Sequence, residues 1–181
     1  MIRARLIAPA LLAGLVAGTA SGPAVAGSTT INDLAGDNVA YESESADYGD
    51  LTTIKVRHSP KTVKITVAGN GGDGLEIYLD TRAKRPGPEF LVSWESYLSE
   101  VFLSTTTGDW EVAKANLKCS GARLADTAGS TTFVIPRKCL AKKGKKPQRV
   151  RANAEAINFY DSVARDEAPA LHTFGGWART G

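Results

Sequence analysis

Six carboxylates and no base lie between Asp33 and Asp50: Asp33, Asp37, Glu42, Glu44, Asp47 and Asp50. Outside the cell, hard oxygen ligands gathered in this way suit Ca²⁺. Asp33, Asp37 and Asp50 are the candidate ligands, with backbone carbonyls completing the shell. The spacing is not that of an EF-hand, which needs regularly alternating acids, a mid-loop glycine and a terminal glutamate. Asp73 and Asp80 would join such a site only through the fold. A solvated loop carries the same signature. The opposite composition lies between Arg137 and Arg151, where eight bases occur without an acid. Lys142, Lys143, Lys145 and Lys146 cluster there around Gly144. Positive charge held this close together suits an anionic polymer, and an exposed loop is again the plain alternative.

Motifs for catalysis are absent. Histidine is limited to His58 and His172, and no His-Glu-x-x-His pair, Gly-x-Ser-x-Gly elbow or phosphate loop occurs. Gly69, Gly71, Gly72 and Gly74 precede a strand pattern and not a helix, which removes a dinucleotide site. Glu89, Glu95 and Glu111 are carboxylates of the kind a glycosidase pairs, but that assignment depends on their separation in space. His58 falls in phase with Ile54 and Val56, as expected of a hydrogen-bonded histidine at a strand end. Tyr78 falls out of phase with Leu75, Ile77 and Leu79, so it is expected on a solvent-facing sheet surface where a ligand ring could stack. Trp94 and Trp110 are expected in the core. The sequence implies no cofactor other than calcium, and a chain that is not an enzyme.

These residues must be carried by strands. Ile54, Val56 and His58 alternate with Lys55 and Arg57; Val63, Ile65 and Val67 alternate with polar residues; Leu75, Ile77 and Leu79 repeat the pattern. Phe90 to Trp94, Val101 to Thr107, Trp110 to Cys119, Thr131 to Ile135 and Arg149 to Ala156 extend it. Turn residues separate these runs at Ser59-Pro60, Gly69–Gly74, Pro86-Gly87-Pro88 and Gly108-Asp109. No stretch after the N-terminal segment carries a helical stripe. The pattern predicts an all-β domain, an antiparallel, jelly-roll-like β-sandwich, with a closed barrel as the alternative.

The N-terminus sets the compartment. Arg3 and Arg5 precede an uncharged apolar run from Leu6 to Gly18, and Ala24-Val25-Ala26 supplies a small-x-small cleavage pattern. The run is shorter than the roughly 20 apolar residues of a membrane span. Residues 1–26 therefore read as a signal peptide and residues 27–181 as one secreted, extracellular domain with no membrane span. Removing two arginines leaves twenty bases against nineteen acids, so the mature chain is nearly neutral. Such a balance weakens the case that overall charge makes for an anionic partner, and no nucleic-acid partner is expected. In an exported chain the two cysteines, Cys119 and Cys139, are most simply a disulfide, with no histidine nearby to make a metal site.

A resemblance accompanies this reading. Asp33-Leu34-Ala35-Gly36-Asp37, Gly49-Asp50-Leu51, Val56-Arg57-His58 and Val63-Lys64-Ile65-Thr66-Val67 resemble the opening of a group of secreted actinobacterial domains. Leu79-Asp80-Thr81, Gly87-Pro88-Glu89-Phe90 and Ile135-Pro136-Arg137-Lys138-Cys139-Leu140 continue the likeness. Those domains are similar to the β-sandwiches of DOMON and family-nine-like carbohydrate-binding modules. The resemblance implies a sandwich and transfers no catalytic residue. The expected role is that of a non-catalytic secreted domain binding an extracellular polysaccharide or an anionic cell-wall polymer. A small hydrolase with a carboxylate site and a structural or protein-interaction domain are the alternatives.

Overall fold

The computed structural model describes residues 26–37, 49–69, 71–85, 87–98, 100–127, 129–158 and 163–180. The expected signal peptide lies outside the described residues except for Ala26, as do Glu42, Glu44 and Asp47 of the acidic run.

The strands fall into two antiparallel sheets. The first contains β1 (Gly27–Asn32), β2 (Leu51–His58), β3 (Thr62–Gly69), β8 (Arg123–Thr127) and β9 (Ser130–Pro136), in the order β1-β2-β3-β9-β8. The second contains β4 (Gly74–Asp80), β5 (Phe90–Glu95), β6 (Phe102–Thr106), β7 (Val112–Lys114), β10 (Arg149–Asn158) and β11 (Val163–Ala168), in the order β11-β10-β4-β5-β6-β7. The short β12 (Ala178–Arg179) adds to β10. A 3-10 turn at Arg137–Leu140 follows β9.

Period-two alternation drives the packing. Ile54, Val56, Val63, Ile65, Val67, Phe133 and Ile135 project from the first sheet into one apolar core. Leu75, Ile77, Leu79, Phe90, Val92, Leu103 and Val150 meet them from the second. Among cross-sheet pairs, β10 and β2 make the most extensive contact. The residues that β10 buries there are small, Ala152, Ala154 and Ala156, which lets the two backbones approach. The expected sandwich is thus the fold.

Cys119 and Cys139 form the disulfide, with Cα atoms 5.6 Å apart. It ties the segment after β7 to the 3-10 turn after β9, and both cysteines pack against the core. The predicted strand from Trp110 to Cys119 is corrected to the three residues of β7. Trp110 at φ 68° and Asn116 at φ 52° occupy the left-handed region, which interrupts a strand on both sides.

Candidate functional site

The basic run does not float. Arg137 is buried at the start of the 3-10 turn, and its Nε donates to Pro147 O at 2.7 Å. Its backbone N–H donates to Lys61 O at 2.8 Å, fastening the same point to the β2–β3 turn. Between these anchors the chain makes a tight hairpin: Lys142 and Lys145 exchange backbone hydrogen bonds of 3.2 and 3.1 Å. Lys143 and Gly144 both have positive φ, 52° and 75°, the geometry of a two-residue hairpin turn. Gly144 carries one of those angles without strain, and Lys143 carries the other at some cost.

That hairpin forms one wall of a groove of about 600 Å³. Lys142, Lys143, Lys145, Lys146 and Arg149 line it from the C-terminal side. Across from them stands the β4–β5 loop, which contributes Arg82, Lys84 and Arg85. Eight cationic side chains therefore line the groove, and no acidic residue does. Of the eight, Arg82 alone has an ion pair among the described residues, a loose 3.9 Å contact with Glu89. The three bases of the β4–β5 loop were missed in the sequence. Their signal was present, since Arg82, Lys84 and Arg85 fall within four residues ahead of Pro86, but only the fold sets them against the hairpin.

Beyond that loop lies a cleft of about 430 Å³ lined by Gly87, Gly108, Asp109, Trp110, Arg151, His172 and Phe174. Gly87 is required there, because a Cβ would collide with the Gly108 carbonyl. Trp110 stacks on His172 and Phe174 with ring centroids 4.7 and 4.9 Å away. The Arg151 guanidinium sits between Phe174 and Trp177, 4.8 and 4.6 Å from their centroids, and pairs with Asp80 at 2.6 Å. Arg149 lies over Trp177 as well, at 5.1 Å. The aromatic bed and the cationic groove thus share the β4–β5 loop and the outer side of β10.

Tyr78 does lie on the outer sheet surface, as its phase requires, but it is buried and not a solvent-facing platform. Trp110 covers it at 4.9 Å, and its hydroxyl donates to Glu76 Oε2 at 2.9 Å. Trp110 is accordingly outside the core, whereas Trp94 packs against it as expected. Around Tyr78 the same surface holds three carboxyls. Glu155 stands opposite Glu167 in the β10–β11 register, and Glu76 adds its charge from β4. Burial first, and then Glu167 and Glu76, push the Glu155 carboxyl up to about 8.

The acidic run converges, with one change of member. Ligand oxygens of Asp33, Asp37 and Asp166 lie within 4.8 Å of one another. Asp166, brought from β11, was not legible in the sequence. Asp50 stands beside the set and accepts the Gly36 N–H at 2.8 Å. Asp166 accepts the Leu51 N–H at 2.6 Å, while burial and the charges of Asp33 and Asp37 raise its carboxyl to about 6. Asp33 Oδ2 is buried without a hydrogen-bond partner. Asp73 and Asp80 do not belong to this cluster.

The remaining candidates have structural surroundings. His58 is fully buried, its Nδ1 3.4 Å from Ala178 O, and burial lowers its pKa. Glu89 accepts the Thr81 N–H at 2.7 Å and the Thr81 hydroxyl at 2.9 Å. Glu89 and Glu95 flank the length of β5, about 20 Å at a strand's rise per residue, beyond the span of a glycosidase pair. The chain matches no family model, no curated protein and no solved structure.

Proposed function

We propose that this protein is a secreted, non-catalytic β-sandwich that binds an acidic extracellular polysaccharide in the groove between the β4–β5 loop and the Lys142–Lys146 hairpin. The observation that carries the reading is the groove's lining, eight bases and no acid, gathered from two separate loops. Like charges held together repel, and an anionic chain lying between them relieves that repulsion. An exposed loop with no role needs neither the buried Arg137 anchor nor a second basic wall. The neighbouring rings of Trp110, Phe174 and Trp177 engage one another and the Arg149 and Arg151 guanidinium groups, so the groove's charge and not ring stacking carries the reading. The N-terminal signal pattern and the disulfide agree with an extracellular setting.

The test compares wild type with a variant carrying Lys142→Gln, Lys143→Gln, Lys145→Gln and Lys146→Gln. At low salt the wild type should bind immobilised polygalacturonate, and the variant, having lost four of the groove's eight charges, should bind at least about tenfold more weakly. Raising salt to 1 M should release the wild type, because the Debye length falls from about 10 Å at 0.1 M to about 3 Å. Equal low-salt binding by the two proteins removes the groove from the reading. Tighter binding of inorganic polyphosphate of matched length overturns the polysaccharide assignment.

A further inference from the structure

The groove does not end at Arg149. A second hollow of about 310 Å³ is lined by Gln148, Arg149 and Arg179, so the two spaces share Gln148 and Arg149. The shared wall is tied to the strand beside it. Thr180 donates its N–H to Gln148 O at 3.0 Å, and the Thr180 hydroxyl lies 3.2 Å from Gln148 Oε1. These contacts lock β12 beside β10. The register of that pair then sets Arg149 directly opposite Arg179.

Like charges at directly opposed positions of adjacent strands destabilise a sheet. Neither arginine has an acidic partner among the described residues; Arg149 is instead laid over the Trp177 ring. A small anion would need only one of the two spaces. Two cationic spaces joined at one arginine, the second open and carrying its own charge, fit an extended ligand whose negative charges repeat along its length.

Resting on the groove reading above, we infer that the ligand is a linear polyanionic sugar chain bound lengthwise, running from the Lys142–Lys146 hairpin past Arg149 into the Arg179 hollow. Recognition then follows chain length and not a terminal group. Arg149 is the junction, and Arg179 contacts only chains long enough to leave the main groove.

A calorimetric titration of the full mature protein with oligogalacturonates from dimer to dodecamer, at one ionic strength, tests this. Affinity should climb with length beyond the oligomer that fills the main groove, and then level off. Arg179→Gln should weaken the longest oligomers by roughly tenfold, the worth of one charge contact, and leave the dimer unchanged. Arg179→Lys should restore most of the loss, which separates lost charge from a disturbed β12; its thermal melt should match wild type, and that of Arg179→Gln should be no lower, because the substitution relieves the opposed charges. Equal affinity for short and long oligomers, or an equal loss on dimer and dodecamer in Arg179→Gln, overturns the inference while leaving the groove in place. Failure of every oligomer to bind at low salt overturns the groove reading itself.

Discussion

The most telling single residues here are carboxyls placed where they resist ionisation. Glu155 faces Glu167 across the β10–β11 pair, and its folded pKa of about 8 lies above the ordinary value of 4.5. Between those two values the folded state holds a proton that the unfolded chain releases, so stability must fall as pH rises through that window. Glu155→Gln should remove the decline. We expect the variant to match wild type near pH 5 and to exceed it at pH 8 by on the order of 1–2 kcal/mol, after allowance for the residue's partial exposure. Urea titrations at the two pH values measure this, and a wild type equally stable at both defeats it. His58 acts in the opposite range: its lowered pKa means that its contribution is present above the ordinary value of 6.5 and is lost as pH falls. The Asp33, Asp37 and Asp166 cluster gives calcium a definite test. If the cation sits there, it should raise Tm through mass action, most strongly above pH 6, where the Asp166 carboxyl is ionised. A Tm unmoved by calcium or chelator removes calcium from the three carboxyls.

Among the elements, the disulfide is the one that joins parts no strand pairing joins. The chain between β7 and β8 crosses from the second sheet to the first with no ladder of its own, and Cys119 pins it to the turn after β9. Closing a loop of this length stabilises a fold by roughly 3 kcal/mol in the chain-entropy model. Replacing both cysteines by serine should therefore lower unfolding stability by about 2–5 kcal/mol without changing the far-ultraviolet strand signature. Chemical denaturation reads the loss, and unchanged stability would show that the native contacts of Leu117, Ala122 and Leu124 hold the crossing unaided. The hairpin at Lys142–Lys145 shows a second kind of determination: its shape comes from positive φ at Lys143 and Gly144, and its place comes from buried Arg137.

Taken whole, the molecule separates its charge although it is nearly neutral after residue 26. The outer surface of the first sheet presents Lys55, Arg57, Lys64 and Arg123 among threonines, and no described acidic side chain joins them there. Arg57 and Lys64 are directly opposed in register. The outer surface of the second sheet is mixed: Glu76, Glu155 and Glu167 gather toward β11, while Arg149 and Arg151 stand farther along β10 on the same face. A protein with twenty bases and nineteen acids but a one-sided distribution should be retained on a cation-exchange resin at pH 7. The four-Gln hairpin variant should elute at distinctly lower salt. Passage of the wild type through the column unretained would show that the two faces cancel at working distance.

Much of this was readable from residue types alone. Alternation at Ile54–His58, Val63–Val67 and Leu75–Leu79 determined which side chains entered the core, because a strand exposes every second residue to one face. Two cysteines determined their only possible partner within the chain. Strands β1 and β11 escaped notice, because Gly27–Asn32 has a single large apolar residue and Val163–Ala168 is interrupted by Arg165, Asp166 and Glu167. Neither carries the alternation that pattern reading depends on, and only their neighbours make them strands. Function was less legible for a related reason. The Lys142–Lys146 cluster and the Asp33–Asp37 run were visible as local charge. Pairing the first with Arg82, Lys84 and Arg85, and the second with Asp166, required contacts between distant parts of the chain. Tyr78 shows the same division: its phase placed it on the outer surface, but its cover came from Trp110 in a loop, which no period of two records.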